Sequence, residues 1–110
     1  MERYFVLTEN CAIEIGELDL PEMTFEDARN YCLTIGDRWR LPTEEEHNVM
    51  YTLHKKAIGK FQYKGYWSSE GFNNREAKFK SYSTGGYYTS KISKSSEDFP
   101  KKIVRLVRNI

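Results

Sequence analysis

A chain of 110 residues and 13.0 kDa makes one domain, since two halves of about 55 residues would each be short of a core without staples. Aromatic residues make up 15% of it and apolar residues 39%, which excludes a disordered chain. No uncharged apolar run approaches the roughly 18 residues of a membrane-spanning helix, and the mean hydropathy of −0.72 describes a wet exterior.

The net charge of +1 hides an asymmetry: residues 1–54 carry 4 Lys+Arg against 12 Asp+Glu, a balance of −8, and residues 55–110 carry 13 against 4, a balance of +9. Either the halves fold over each other and their charges mix, or they mark a basic face or a route to head-to-tail association. Two cysteines, Cys11 and Cys32, are too few for the disulfide framework of a small secreted domain. The opening Met1-Glu2-Arg3-Tyr4-Phe5 has no apolar leader region. A cytoplasmic location is expected on these grounds, or an extracellular one if a leader has been removed.

The first element is a β-hairpin. Tyr4 to Thr8 is aromatic and β-branched, Glu9-Asn10 punctuates, and Cys11 to Ile15 alternates before Gly16. A helix follows with both ends marked. Thr24 is its N-cap, Glu26 and Asp27 are the acids of its first turn, and Gly36 is its stop. Phe25, Ala28, Cys32 and Ile35 make one inward stripe. In Trp39-Arg40-Leu41-Pro42-Thr43-Glu44-Glu45-Glu46, Pro42 holds Leu41 extended and Thr43 with Glu46 forms a capping box. This second helix continues its inner stripe through Met50, Leu53 and Ala57 and ends at Gly59.

The remainder reads as strands. Tyr66 to Ser69 is short, Gly71 to Arg75 is a polar loop, and Ala77–Ser83 with Tyr87–Ser93 flank the turn at Gly85-Gly86. Ser93 to Lys102 is a polar loop, and Ile103 to Arg108 closes the chain as one strand, Val104 and Leu106 on one face and Arg105 on the other. The order of hairpin, helices and antiparallel strands is α+β.

The run from Trp39 to Glu46, then Tyr66-Trp67-Ser68-Ser69, then Val104-Arg105-Leu106-Val107-Arg108 resembles the domain family named for the C-terminal domain of the Legionella collagen-like protein. The likeness covers about residues 22–109. It implies a C-type-lectin-like fold, with two helices on a twisted antiparallel sheet and paired N- and C-terminal strands, in a family mostly of unknown function. It also implies a scaffold role for Trp39, Leu41, Pro42, Thr43, Glu46, Trp67, Ser68, Val104 and Leu106. Many members join a cysteine of the first helix to one in the last strand. Cys32 matches the first, but Leu106 stands at the second, so Cys32 is expected to be a free, buried thiol. His47 replaces a usual Leu and is expected to be a satisfied packing residue.

Catalytic and metal chemistry finds little footing. The loop-proline carboxylate set and Trp-Asn-Asp triplet of calcium-dependent lectins are absent, although Glu70, Asn73, Asn74 and Glu76 are hard oxygen donors. The cysteine pair of formylglycine-generating enzymes is missing. Two Cys and two His show no zinc spacing, and no nucleophile elbow or phosphate loop occurs. Neither a metal nor a cofactor is expected.

A non-catalytic binding module results, presenting a protein or glycan ligand surface on Phe72, Asn73, Asn74, Arg75, Tyr82, Tyr87 and Tyr88, residue types that give broad contact at low ordering cost. The alternative is an assembly subunit, a phage-like or cell-surface component joined through its acidic and basic halves into an oligomer. Nucleic acid ranks behind both, because the isoelectric point is only 7.7 and no basic stripe is evident.

Overall fold

The computed structural model describes residues 4–92 and 100–110. The elements are β1 (Tyr4–Leu7), β2 (Ala12–Ile15), β3 (Leu20–Met23), α1 (Phe25–Ile35), α2 (Glu44–Lys55), β4 (Gly65–Trp67), β5 (Glu76–Ser81), β6 (Tyr87–Lys91), β7 (Lys102–Val104) and β8 (Val107–Asn109). The α+β class holds. Most of the expected loop from Ser93 to Lys102 lies outside the described residues. Among the described residues no helix is long and apolar enough to cross a membrane.

The strands form two sheets, ordered β1-β2-β8 and β3-β7-β4-β5-β6. The expected N-terminal hairpin is β1 and β2, and β8 pairs with β2 from Ile13↔Asn109 to Ile15↔Val107. The amino-terminal hairpin and the last strand therefore share one sheet. The larger sheet is not wholly antiparallel, since β4 runs parallel to β7 at Tyr66↔Ile103. The edge strand β3 escapes a reading by alternation because Pro21 interrupts it; Pro lacks an amide donor and is tolerated at a sheet edge.

The expected closing strand is in fact two. Ile103, Val104, Arg105, Leu106 and Val107 are all buried, so alternation into a wet and a dry face fails here. The chain leaves the larger sheet at Val104 and joins the smaller one at Val107. Arg105 fills the junction between them. Its Nε donates to the carbonyl of Gly16 (2.6 Å), its two terminal nitrogens to those of Glu17 (3.1 Å) and Gly59 (2.6 Å) and to Asp19 Oδ1 (3.0 Å), and its guanidinium lies 4.5 Å from the centroid of Phe61.

Adjacent residues of the central strands feed opposite cores. Tyr66 and Ile103 join Ile13, Ile15, Met50 and Val107 under α2, whereas Trp67 and Val104 join Phe25, Ala28, Leu41 and Leu106 under α1. Trp67 Nε1 donates to the Met23 carbonyl (2.8 Å). Ser68 is fully buried and donates to the Pro42 carbonyl (3.2 Å). Trp39 is only half-buried, with the Arg108 guanidinium 4.4 Å over its ring.

Both N-caps form as read. Thr24 Oγ1 accepts from the Asp27 amide, and the Thr43–Glu46 capping box is complete. Arg40 adds a fork onto both Glu46 oxygens at 2.7 Å. The helix ends differ from expectation. Ile35 is exposed and Cys32 half-buried, so α1 rests on the sheet by its N-terminal half and the Cys32 thiol is not enclosed. α2 stops at Lys55, four residues before Gly59. Ala57 takes the left-handed position (φ 59°), its amide donating to the His54 carbonyl (2.9 Å) and that of Ile58 to Leu53 (2.9 Å). That is a Schellman ending with alanine where glycine is favoured, and it carries Ala57 out of the inner stripe to an exposed position.

Of the four ion pairs among the described residues, Lys64–Glu22, Arg105–Asp19 and Arg108–Glu14 each join the basic half to the acidic half. Folding one half over the other thus consumes charge within the molecule.

Candidate functional site

The loop before β5 and the turn after it lie at opposite ends of that strand, about 17 Å apart for six residues. The residues expected to share one ligand surface consequently divide into two groups and a core residue.

Tyr82 is the core residue, 1% exposed, which removes it from any ligand surface. Its hydroxyl lies 2.9 Å from His47 Nδ1, and its carbonyl 3.0 Å from His54 Nε2. His47 Nε2 lies 3.0 Å from the Trp67 carbonyl. A carbonyl only accepts, so Nε2 carries the hydrogen and Nδ1 accepts from Tyr82. Burial drives the His47 pKa down to about 4, leaving a neutral, doubly bonded imidazole at neutral pH. Burial likewise pushes the Tyr82 and Tyr66 hydroxyls up, the latter also by its bond to Asp19.

Tyr87 and Tyr88 stand near the turn end. The Tyr87 hydroxyl donates to Ser68 Oγ (2.7 Å), and Tyr88, 46% exposed, shares a hydrogen bond with Thr84 (3.0 Å). Gly85 (φ 81°) tucks against Tyr51, whose ring carbons would lie 2.9 Å from any added Cβ. Lys80 Nζ is anchored there by Asn48 Oδ1 (2.8 Å) and the Gly85 carbonyl (2.7 Å). This end is tied down by its own polar groups.

Among the described residues the loop end is open. Asn73 Oδ1 accepts from the amides of Arg75 (2.7 Å) and Glu76 (2.9 Å), an Asx turn that fixes the loop. Phe72 is thereby set against Phe25 of α1, ring centroids 5.2 Å apart. Between helix and loop runs a groove of about 520 Å³, which takes in Asn30 of α1, Asn73 and Asn74 of the loop, and Ile92 and Pro100. A smaller hollow of about 170 Å³ adjoins it, walled by Cys32, Leu41, Ser69 and Phe72. Phe25, Arg29 and Leu33 border both. Arg75 is exposed but does not line either.

Sequence reasoning missed Arg29, Asn30 and Leu33. A signal was present: Leu33 lies off the inward stripe of α1, and it is 82% exposed, an apolar residue on the helix's outer face.

The candidate chemical groups do not converge. Cys32 packs against the cluster under α1, whereas His47 and His54 bond Tyr82 in the cluster under α2. Burial raises the thiol pKa of both Cys32 and Cys11, and neither is in a disulfide. Among the hard oxygen donors, Glu70 is engaged, accepting from the Glu44 amide at the N-terminus of α2 (2.7 Å), and Asn73 Oδ1 serves its own turn. Among the described residues no group of three His, Cys, Asp or Glu side chains is placed to hold a metal ion. No protein-family model matches the chain, and no curated protein matches it.

Proposed function

We propose that the chain is a C-type-lectin-like binding domain, of the kind found at the C-terminus of the Legionella collagen-like protein, and that it holds a polypeptide ligand in the groove between α1 and residues 71–75 without altering it chemically. The pairing of the amino-terminal hairpin with the last strand, two helices set against opposite faces of a sheet, and the scaffold positions of Trp67, Leu41 and Ser68 support the lectin-like reading.

The observation that carries the binding reading is the convergence of amide and apolar groups from two separate elements on one groove: Asn30 and Leu33 from the helix, Asn73 and Asn74 from the loop. Side-chain amides match the donors and acceptors of a peptide backbone, and the exposed Leu33 offers apolar contact beside them. A glycan is the less favoured ligand, because sugars stack on free aromatic faces. Here Phe72, 41% exposed, is only partly free, with the Arg29 guanidinium 4.7 Å from its centroid and Phe25 tilted against it.

Panning a displayed peptide library on the folded domain, with a glycan array in parallel, tests this. Peptide binders that lose affinity for Leu33→Glu and Asn74→Ala support it. Binders indifferent to both substitutions, or binding of glycans alone, refute it.

A further inference from the structure

From the geometry around Arg29 we infer that the groove reads the free carboxylate end of its ligand, with an aliphatic last residue seated in the adjoining hollow. This rests on the peptide-binding reading above.

Phe25, Arg29 and Leu33 are spaced four apart on α1, so each neighbours the next along a row that runs from buried Phe25 to exposed Leu33. The guanidinium carbon of Arg29 lies 4.7 Å from the Phe72 centroid and 5.9 Å from that of Phe25, within cation–π range of both rings. A cation–π contact does not use up the N–H donors of the group, which remain free to bond an anion. Among the described residues Arg29 makes no hydrogen bond or ion pair. Exposed Arg38 and Arg75 likewise hold no carboxylate among the described residues, but neither lies over an aromatic ring, and the contrast is with the arginines the fold encloses. Arg40, Arg105 and Arg108, each seated in the fold, all hold a carboxylate, those of Glu46, Asp19 and Glu14. Arg29 lies against an aromatic ring with its donors facing solvent rather than a protein carboxylate, an arrangement open to a planar anion. Two parallel bonds to a carboxylate complete it.

The surroundings select the anion. The hollow beside Arg29 is walled by Phe25, Cys32, Leu33, Leu41 and Phe72, with Ser69 its hydroxyl, and among the described residues no acid lines it. At about 170 Å³ it has room for one side chain, and its largely apolar wall favours an aliphatic one. A carboxylate on the backbone of the same residue then lies beside the fork. Upstream, in the larger groove, the amides of Asn30, Asn73 and Asn74 face the preceding peptide groups. Glu26 and Asp27 line that same groove, where they repel acids and favour a basic residue. The ligand so described is a chain end with an aliphatic final residue and a basic residue shortly before it.

The test compares three peptides against the 15N-labelled domain by chemical-shift titration: acetyl-Lys-Gly-Ser-Leu with a free carboxylate, the same peptide amidated, and acetyl-Lys-Gly-Asp-Leu amidated, whose carboxylate is on a side chain. The expected result is shifts at residues 25–33 and 69–74 with the free acid, binding about tenfold weaker for the amidated peptide, and the same loss for the free acid on Arg29→Gln. Arg29→Lys keeps the charge but not the fork and recovers only part of the affinity. Equal binding of acid and amide, or of wild type and Arg29→Gln, overturns the inference while leaving the peptide groove intact. Preference for the aspartyl peptide overturns the assignment to a chain end. No shifts with any of the three overturns both this inference and the groove reading. Arg29 is exposed, and an unchanged melting curve for Arg29→Gln assigns any loss to the fork.

Discussion

Replacing Arg105 by Met, which keeps an unbranched apolar stem but deletes the guanidinium and its charge, tests how the two sheets are held together. The Arg105 side chain is 0% exposed and that of its partner Asp19 8%. The substitution removes donors from three carbonyls, those of Gly16, Glu17 and Gly59, and strips Asp19 of its cation. Two donors to Asp19 remain, the hydroxyl of Tyr66 (2.6 Å) and Nε2 of Gln62 (3.1 Å). A buried pair is weak evidence for net stabilisation, yet breaking one leaves an uncompensated charge and costs about 3–5 kcal/mol. Domains of this size unfold at roughly 5–15 kcal/mol, so the variant should stand near the edge of folding. With a urea m-value of about 2 kcal/mol/M, its midpoint should fall by roughly 2 M. Urea titration followed by tryptophan fluorescence reads this directly. Adding Asp19→Asn should restore part of the loss, because the stranded charge goes with it. A loss below about 1 kcal/mol, or strict additivity of the two substitutions, would refute the reasoning.

Four further outcomes are expected. The folded-state pKa of His47, about 4, lies below the unfolded value of about 6.5, so the unfolded chain binds the extra proton. Stability should be complete above pH 6.5, decline as pH falls toward 4 by roughly 3 kcal/mol, and flatten below; urea titrations across that range should show a shallower decline in His47→Gln. Thr43→Ala deletes half of a capping box and should cost about 1 kcal/mol, seen as a fall of about 5 °C in melting temperature. Ala57→Gly should instead stabilise by about 0.5–1 kcal/mol, because it relieves a left-handed alanine at an exposed helix end; a lower melting point would count against the Schellman reading. In the native protein Ellman's reagent should modify Cys32, half-buried, faster than buried Cys11, with both thiols reacting once the chain is unfolded. Slow, equal rates would contradict the placement of α1.

What the sequence made legible follows from local chemistry. Thr24, Gly36 and the Thr43–Glu46 pair act on backbone groups within four residues, so both helix starts could be read without knowing the fold. The same holds for the turn at Gly85-Gly86 and for the first hairpin. The parts that stayed hidden depend on contacts far along the chain. Arg105 looks like the wet position of an alternating strand, and only the arrival of Gly16, Asp19 and Gly59 makes it a core residue. Tyr82 looks like a loop tyrosine until His47 and His54 close over it. Ala57 fits the stripe of α2, yet the Schellman bonds stop the helix before reaching it. The candidate site was half visible: Phe72, Asn73 and Asn74 belong to a loop that composition marks, whereas Arg29 gains meaning only from the ring it covers.

The position of β7 between β3 and β4, and of β8 as the third strand of the other sheet, has a kinetic consequence. Each layer receives an indispensable plank from residues 102–109, so neither attains its full width until the segment farthest from the first hairpin has docked. Closing so large a loop precedes the reward of the contacts it makes, which places refolding in the milliseconds-to-seconds range of sheet-dominated domains. Until that docking, Tyr66 and Trp67 have no cover on the β7 side, and the half-built sheet presents its middle, rather than its rim, to other chains.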